Sequence, residues 1–85
     1  HYNLKRMIMK KSITQIFAES LAIDSALVCD ELSYQGIPQW DSVAHMTLIA
    51  ALEDEYEIML DTDDIIDMSS FAKARLILAK YGIDA

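Results

Sequence analysis

The sequence predicts an all-α fold of four helices, with a long loop after the first and a short third helix. Three observations support this. Chain breakers are scarce, with only two Gly and one Pro in 85 residues, while the strong helix formers Ala, Leu and Met are common. Apolar residues make up 53% of the chain, enough for one small core and far from a disordered composition. Wherever a hydrophobic period is sustained, it is that of a helix and not the alternation of a strand.

Residues 12–23, SITQIFAESLAI, form the first expected helix. Ile13, Ile16, Phe17 and Leu21, with Ser20 beside them, share one face, and Ser12 stands where a cap belongs. An earlier start within LKRMIMKK is also compatible with the pattern. Residues 24–40 keep no period and carry Asp24, Ser25, Asp30, Ser33, Gly36 and Pro38, which reads as a loop, long for so compact a chain. Leu27, Val28, Leu32, Tyr34 and Ile37 are expected to pin it to the helices, with room for a short turn of its own.

The strongest helical pattern is DSVAHMTLIAALEDEYEI. Asp41 is the expected N-cap, and His45, Leu48, Ile49, Leu52 and Tyr56 follow the spacing of a buried stripe. The opposite side carries Val43, Met46, Thr47, Ala50 and Asp54, small or mildly apolar where a purely solvated face would be charged. The helix ends in Glu53, Asp54, Glu55 and Glu57, acids that oppose the macrodipole there and so require a separate reason. DTDDIIDM then reads as a short, solvated, acidic helical turn capped by Asp61 or Thr62. In SSFAKARLILAKYG, Ser69 or Ser70 caps a last helix, Phe71, Ala74, Leu76, Ile77, Leu78 and Tyr81 supply its apolar surface, and Gly82 stops it. The chain divides into an N-terminal extension, residues 1–11, and one domain, residues 12–83. It begins with His, so HYNLKR reads as a remnant ahead of a native start at Met7 or Met9.

Charge narrows the function classes. The formal net charge is −7, and no Lys or Arg interrupts the segment from Asp41 to Asp67. Such a surface repels phosphate backbones, which argues against nucleic acid as a partner. It would attract basic protein patches, although solubility alone accounts for the charge equally well. No apolar run reaches a membrane-spanning length, so stable membrane insertion is not expected. One cysteine, Cys29, cannot form an internal disulfide and fits a reducing, cytoplasmic setting.

Catalytic and metal sites find little support. Ser42 and His45 lie three apart on one helix, but no nucleophile elbow and no group to orient the imidazole accompany them, and a satisfied core histidine is the ordinary outcome on that stripe. The acidic turn lacks the Gly and the bidentate Glu of a calcium loop: counted from Asp61, those places hold Ile66 and Ala72. Cys29 with His45 or His1 does not make a zinc set. The methionines sit at core-like places. Trp40 reads as a loop anchor that also steadies Asp41 and Ser42. A serine in the first turn lies beside unpaired amides and the positive end of the dipole, where a phosphate ester would be stabilised.

WDSVAHMTLIAALEDEYEI, followed by the acidic turn and MSSFAKARLILAKYGI, resembles the acyl carrier protein family, including its peptidyl and aminoacyl relatives, from about Ile13 to Ile83. Asp41, Ser42 and Val43 are similar to the family's D-S-L motif, with Val for the usual Leu, and ALEDEY, Ala51 to Tyr56, is similar to its ALEEEF-like run. The resemblance implies a four-helix acyl-carrier-like bundle that catalyses nothing itself. It implies 4'-phosphopantetheine on Ser42, carrying a thioester cargo, with Asp41 and Val43 read by the transferase. Met46, Thr47 and Ala50 would form the apolar centre of a partner contact, and Glu53 and Asp54 its acidic rim. The implied partners are a phosphopantetheinyl transferase, an acyl- or aminoacyl-loading ligase and downstream transferases with basic docking patches, met by a monomer. Fatty-acid members usually have an acid where Thr47 stands, a Met at Ala50 and Gly-Ala at Gln39-Trp40. The W-D-S form is similar to discrete carriers in specialised pathways. The alternative is an unmodified helical protein-interaction module using the same acidic helix.

Overall fold

The computed structural model describes residues 10–83. Four α-helices follow in order: α1 (Ile13–Leu21), α2 (Ser42–Tyr56), α3 (Thr62–Asp67) and α4 (Phe71–Ala79), with a 3₁₀ turn at Ser25–Leu27 inside the first loop. Among the described residues there is no β-strand. The possible earlier start of α1 within LKRMIMKK, and most of the N-terminal extension, lie outside the described residues; Lys10 and Lys11 are not helical.

Local chemistry sets the helix ends. Ser12 Oγ accepts the Gln15 amide at 3.1 Å, and Ser70, not Ser69, caps α4 by accepting the Lys73 amide at 3.0 Å. Helix α1 stops at Leu21 because Ala22 turns left-handed (φ 56°), and the Ile23 amide reaches back to the Ala18 carbonyl at 3.0 Å. Gly82 (φ 84°) plays the same part after α4, where the Ile83 amide reaches the Leu78 carbonyl at 3.1 Å. Asp61 occupies the cap position of α3 but makes no side-chain cap bond.

The core joins α1, α2, α4 and the loop, with Ile65 of α3 packed half-buried against it. Ile13, Ile16, Phe17, Leu21, Leu48, Ile49, Leu52, Met68, Phe71, Ala74, Ile77 and Leu78 are buried. Phe17 meets Trp40 and Phe71 edge to face, with centroids 5.4 and 4.9 Å apart, so one α1 ring organises the loop and α4 together.

Several expectations are corrected. Ala18, not Ser20, completes the buried face of α1. Leu76 is exposed because it falls on the outer side of α4, and Leu27 is exposed because the 3₁₀ turn points it away from the core. Only Met68 of the described methionines is buried, whereas Met46 and Met59 are exposed. The acidic turn is not wholly solvated: Asp64 is buried, its Oδ1 bound by Lys80 Nζ at 2.8 Å and its Oδ2 by the Tyr81 hydroxyl at 2.7 Å.

The long loop is fastened by its backbone. The Phe71 amide donates to the Leu32 carbonyl and the Tyr34 amide to the Ser69 carbonyl, both at 2.9 Å, making an isolated antiparallel bridge between Ser33 and Ser70. Leu32 is buried, and Val28, Tyr34 and Ile37 pack half-buried against the core. In the turn that follows, a Cβ at Gly36 would lie 2.4 Å from Ser33 Oγ and 3.0 Å from the Ser33 carbonyl, so any side chain there requires Ser33 to shift.

Candidate functional site

The loop delivers Trp40 into the core, and that burial positions the start of α2. Its indole is 0% exposed, and its carbonyl accepts the Gln35 amide at 2.9 Å. Asp41 follows in extended conformation and caps α2, its Oδ1 accepting the Ala44 amide at 2.8 Å. Ser42 is thus the first helical residue, and it is exposed. A helix start leaves the Ser42 and Val43 amides without intrahelical acceptors, so an anion attached to Ser42 would find two donors and the dipole's positive end.

Two concavities meet at Ser42. On the outer face of α2, Ser42, Val43, Met46, Thr47 and Ala50 line an open, mostly apolar depression. Val43 is 74% exposed and Met46 57%. Thr47 spends its hydroxyl on the Val43 carbonyl (3.2 Å), which leaves the methyl to the surface. The second is a cleft of about 340 Å³ between α2 and α3, where Ser42, His45 and Met46 face Ile65, Ile66 and Met68, with Tyr34 and Ser69 at its side. No charged side chain lines this cleft.

His45 sits between the cleft and the core. Trp40 Nε1–H donates to its Nδ1 at 3.0 Å, and its Nε2 lies 2.9 Å from the Ile65 carbonyl. An indole N–H only donates, so Nδ1 must accept and the ring proton belongs on Nε2, donating to Ile65. This neutral ring ties α2 to a carbonyl in the last turn of α3 that the short helix cannot satisfy itself.

Among the residues expected at the site, Ser42, Val43, Met46, Thr47 and Ala50 come together, with Asp41 at their edge. The two acids expected at the rim differ: Glu53 is half-buried and Asp54 is exposed. Glu53 Oε2 accepts the Leu60 amide at 2.9 Å, and Glu55 Oε2 accepts the Lys11 amide at 2.8 Å. Part of the acid run at the end of α2 therefore fastens neighbouring chain, which supplies the reason its charge required. The α3 wall of the cleft, Ile65, Ile66 and Met68, went unnoticed in the sequence. Its signal was the pair of adjacent isoleucines in an acidic turn: so short a helix buries only part of its circumference, and Ile66 is 71% exposed.

No protein-family model matches the sequence. Among solved structures, the chain is similar to the solution NMR structure of the holo acyl carrier protein from Geobacter metallireducens. The TM-score is 0.71 and the identity 29%, over 80% of this chain and 78% of that one. The helical bundle therefore has the acyl carrier protein fold, and the likeness supports a carrier function.

Proposed function

We propose that this protein is a discrete carrier of the acyl carrier protein family. Ser42 bears 4'-phosphopantetheine, and an acyl or aminoacyl group travels on it as a thioester in a specialised biosynthetic pathway. The observation that carries this reading is Ser42 itself: exposed, first in α2, fixed by the Asp41 cap and the Trp40 anchor, and open to an uncharged cleft.

The residues present fit the group. The Ser42 and Val43 amides suit its phosphodiester, and the apolar side chains of Met46 and Ile66 suit the arm beyond. The Asp41 carboxylate is turned into its cap bond, which reduces its repulsion of a neighbouring phosphate. When bound, the arm supplies the thiol that holds the cargo. The chain's own residues orient and present it. The depression around Val43, Met46, Thr47 and Ala50 offers partner enzymes an apolar contact, and Asp54, with the −7 net charge behind it, steers their basic patches toward it. Partners in this reading are a phosphopantetheinyl transferase, a loading ligase and the enzymes that take the cargo onward.

Incubation with a broad-specificity phosphopantetheinyl transferase and coenzyme A, followed by intact mass, tests the proposal. The wild type is expected to gain one phosphopantetheine and Ser42→Ala none. A folded wild type that gains nothing would overturn it.

A further inference from the structure

We infer that His45 gates the cleft beside Ser42, so that the carrier shelters only short, uncharged cargo while the two hydrogen bonds of this ring hold. The inference deepens the carrier reading and rests on it. Ser42 and His45 are three residues apart, hence neighbours on one face of α2. Cargo folding back from Ser42 enters between Met46 and Ile66, where no charged group would meet a charge of its own. At His45 it meets the polar tie between α2 and α3.

Behind that ring the interior is filled. Trp40 lies against His45 with centroids 6.0 Å apart and planes 25° from parallel, and Phe17 stands edge-on to Trp40 on the far side. Tyr34 flanks both rings, 5.3 Å from His45 and 6.2 Å from Trp40. A chain passing deeper must part α3 from α2. That leaves the His45 Nε2–H and the Ile65 carbonyl without partners, a loss that apolar cargo cannot make good because it offers neither donor nor acceptor. A short acyl group ends before this barrier. A long one stays outside, on the surface or in a partner enzyme. His45 is thus a positioning residue that sets cargo length.

The test loads the full chain from butyryl- and decanoyl-coenzyme A with the transferase. Intact mass comes first, and failure to gain the arm would sink the carrier reading without bearing on the gate. Hydroxylamine cleavage of each thioester and the Trp40 indole N–H resonance are then followed. On wild type, the butyryl thioester is expected to be cleaved more slowly than its free pantetheine counterpart. The decanoyl thioester is expected to be cleaved as fast as its own free counterpart, with the indole resonance unmoved. In His45→Ala the decanoyl thioester should become about fivefold slower to cleave, the scale of one lost interaction, and the indole resonance should shift. His45→Gln, which keeps one donor and one acceptor, should return toward the wild-type pattern. Decanoyl cargo protected on wild type, with a shifted indole resonance, would overturn the gate, and that result needs no variant to fold.

Discussion

Helix α3 is tied to α2 through a neutral ring and to the end of α4 through charges, and the two ties differ in what breaks them. On the α2 side, His45 joins a fully buried indole to the Ile65 carbonyl. Its strength is the desolvation penalty of leaving those groups unpaired, which salt hardly touches. On the α4 side, Asp64 is held by Lys80 and Tyr81, and the Lys80 side chain is 61% exposed against 12% for Asp64. A pair open to water on one side is screened and contributes less. A six-residue helix is marginal by itself, so α3 persists through these ties and its few buried contacts. The cleft side is therefore set by packing chemistry, and the far side by solution conditions.

Removing the anchor of the neutral tie should have the largest effect. Trp40→Ala empties a large core site and leaves Nδ1 of His45 without its donor; the expected loss is about 3–5 kcal/mol in urea unfolding. A loss near that of an ordinary surface change would mean that Trp40 does not organise the loop. His45→Phe keeps a ring in place but strands the indole N–H and the Ile65 carbonyl, for an expected loss of about 1–3 kcal/mol. Amide exchange in α3 should quicken while that in α1 holds; equal change in both would deny the tie its locality.

The charged tie should show the smallest effect, visible mainly through pH. The Lys80 bond first, then the Tyr81 hydroxyl, hold the Asp64 carboxyl below its usual range. A lowered folded value means that the stabilisation is complete above the ordinary aspartate range and is lost as pH falls through the folded value. Lys80 is raised by its bond to Asp64, so its share is complete below the ordinary lysine range and fades as pH climbs through the raised value. Wild type and Asp64→Asn should thus differ at neutral pH and converge in acid, below about pH 4. Added salt should narrow the neutral-pH difference, leaving the His45→Phe difference intact. A gap that persists in acid would mean that Asp64 acts through packing.

The same contrast explains what could be read from the sequence. Helix α2, its Asp41 cap, the buried Leu48, Ile49 and Leu52 and the exposed Val43, Met46 and Ala50 all follow from periodicity and capping, which act within a few residues. The satisfied histidine was legible as a type, because His45 falls on the buried stripe, but its partners were not. Trp40 precedes α2 and Ile65 comes after it, and only the packed fold brings them to one ring. Asp64 misled for the same reason: beside Asp63 and Asp67 it looks solvated, and its burial depends on Lys80 and Tyr81 at the far end of α4. Leu76 misled in the opposite way, since in ARLILAK nearly every position is apolar enough for the core and the helix has only one buried side. Glu53 and Glu55 were legible as a broken rule about helix dipoles, and their remedy lay in the Leu60 and Lys11 amides.

The bridge between Ser33 and Ser70 has a consequence for how the molecule assembles. It joins two segments far apart in sequence, so the loop it closes carries an entropy cost that the helices, built from near neighbours, do not meet. Helices α1 and α2 can form and dock first, and the clasp that brings Tyr34 to Ser69 along the cleft follows. The rim on which cargo would rest is thus expected to belong to the late-forming, first-opening part of the fold, with the Tyr34 and Phe71 amides exchanging faster than those of Leu48 and Leu52.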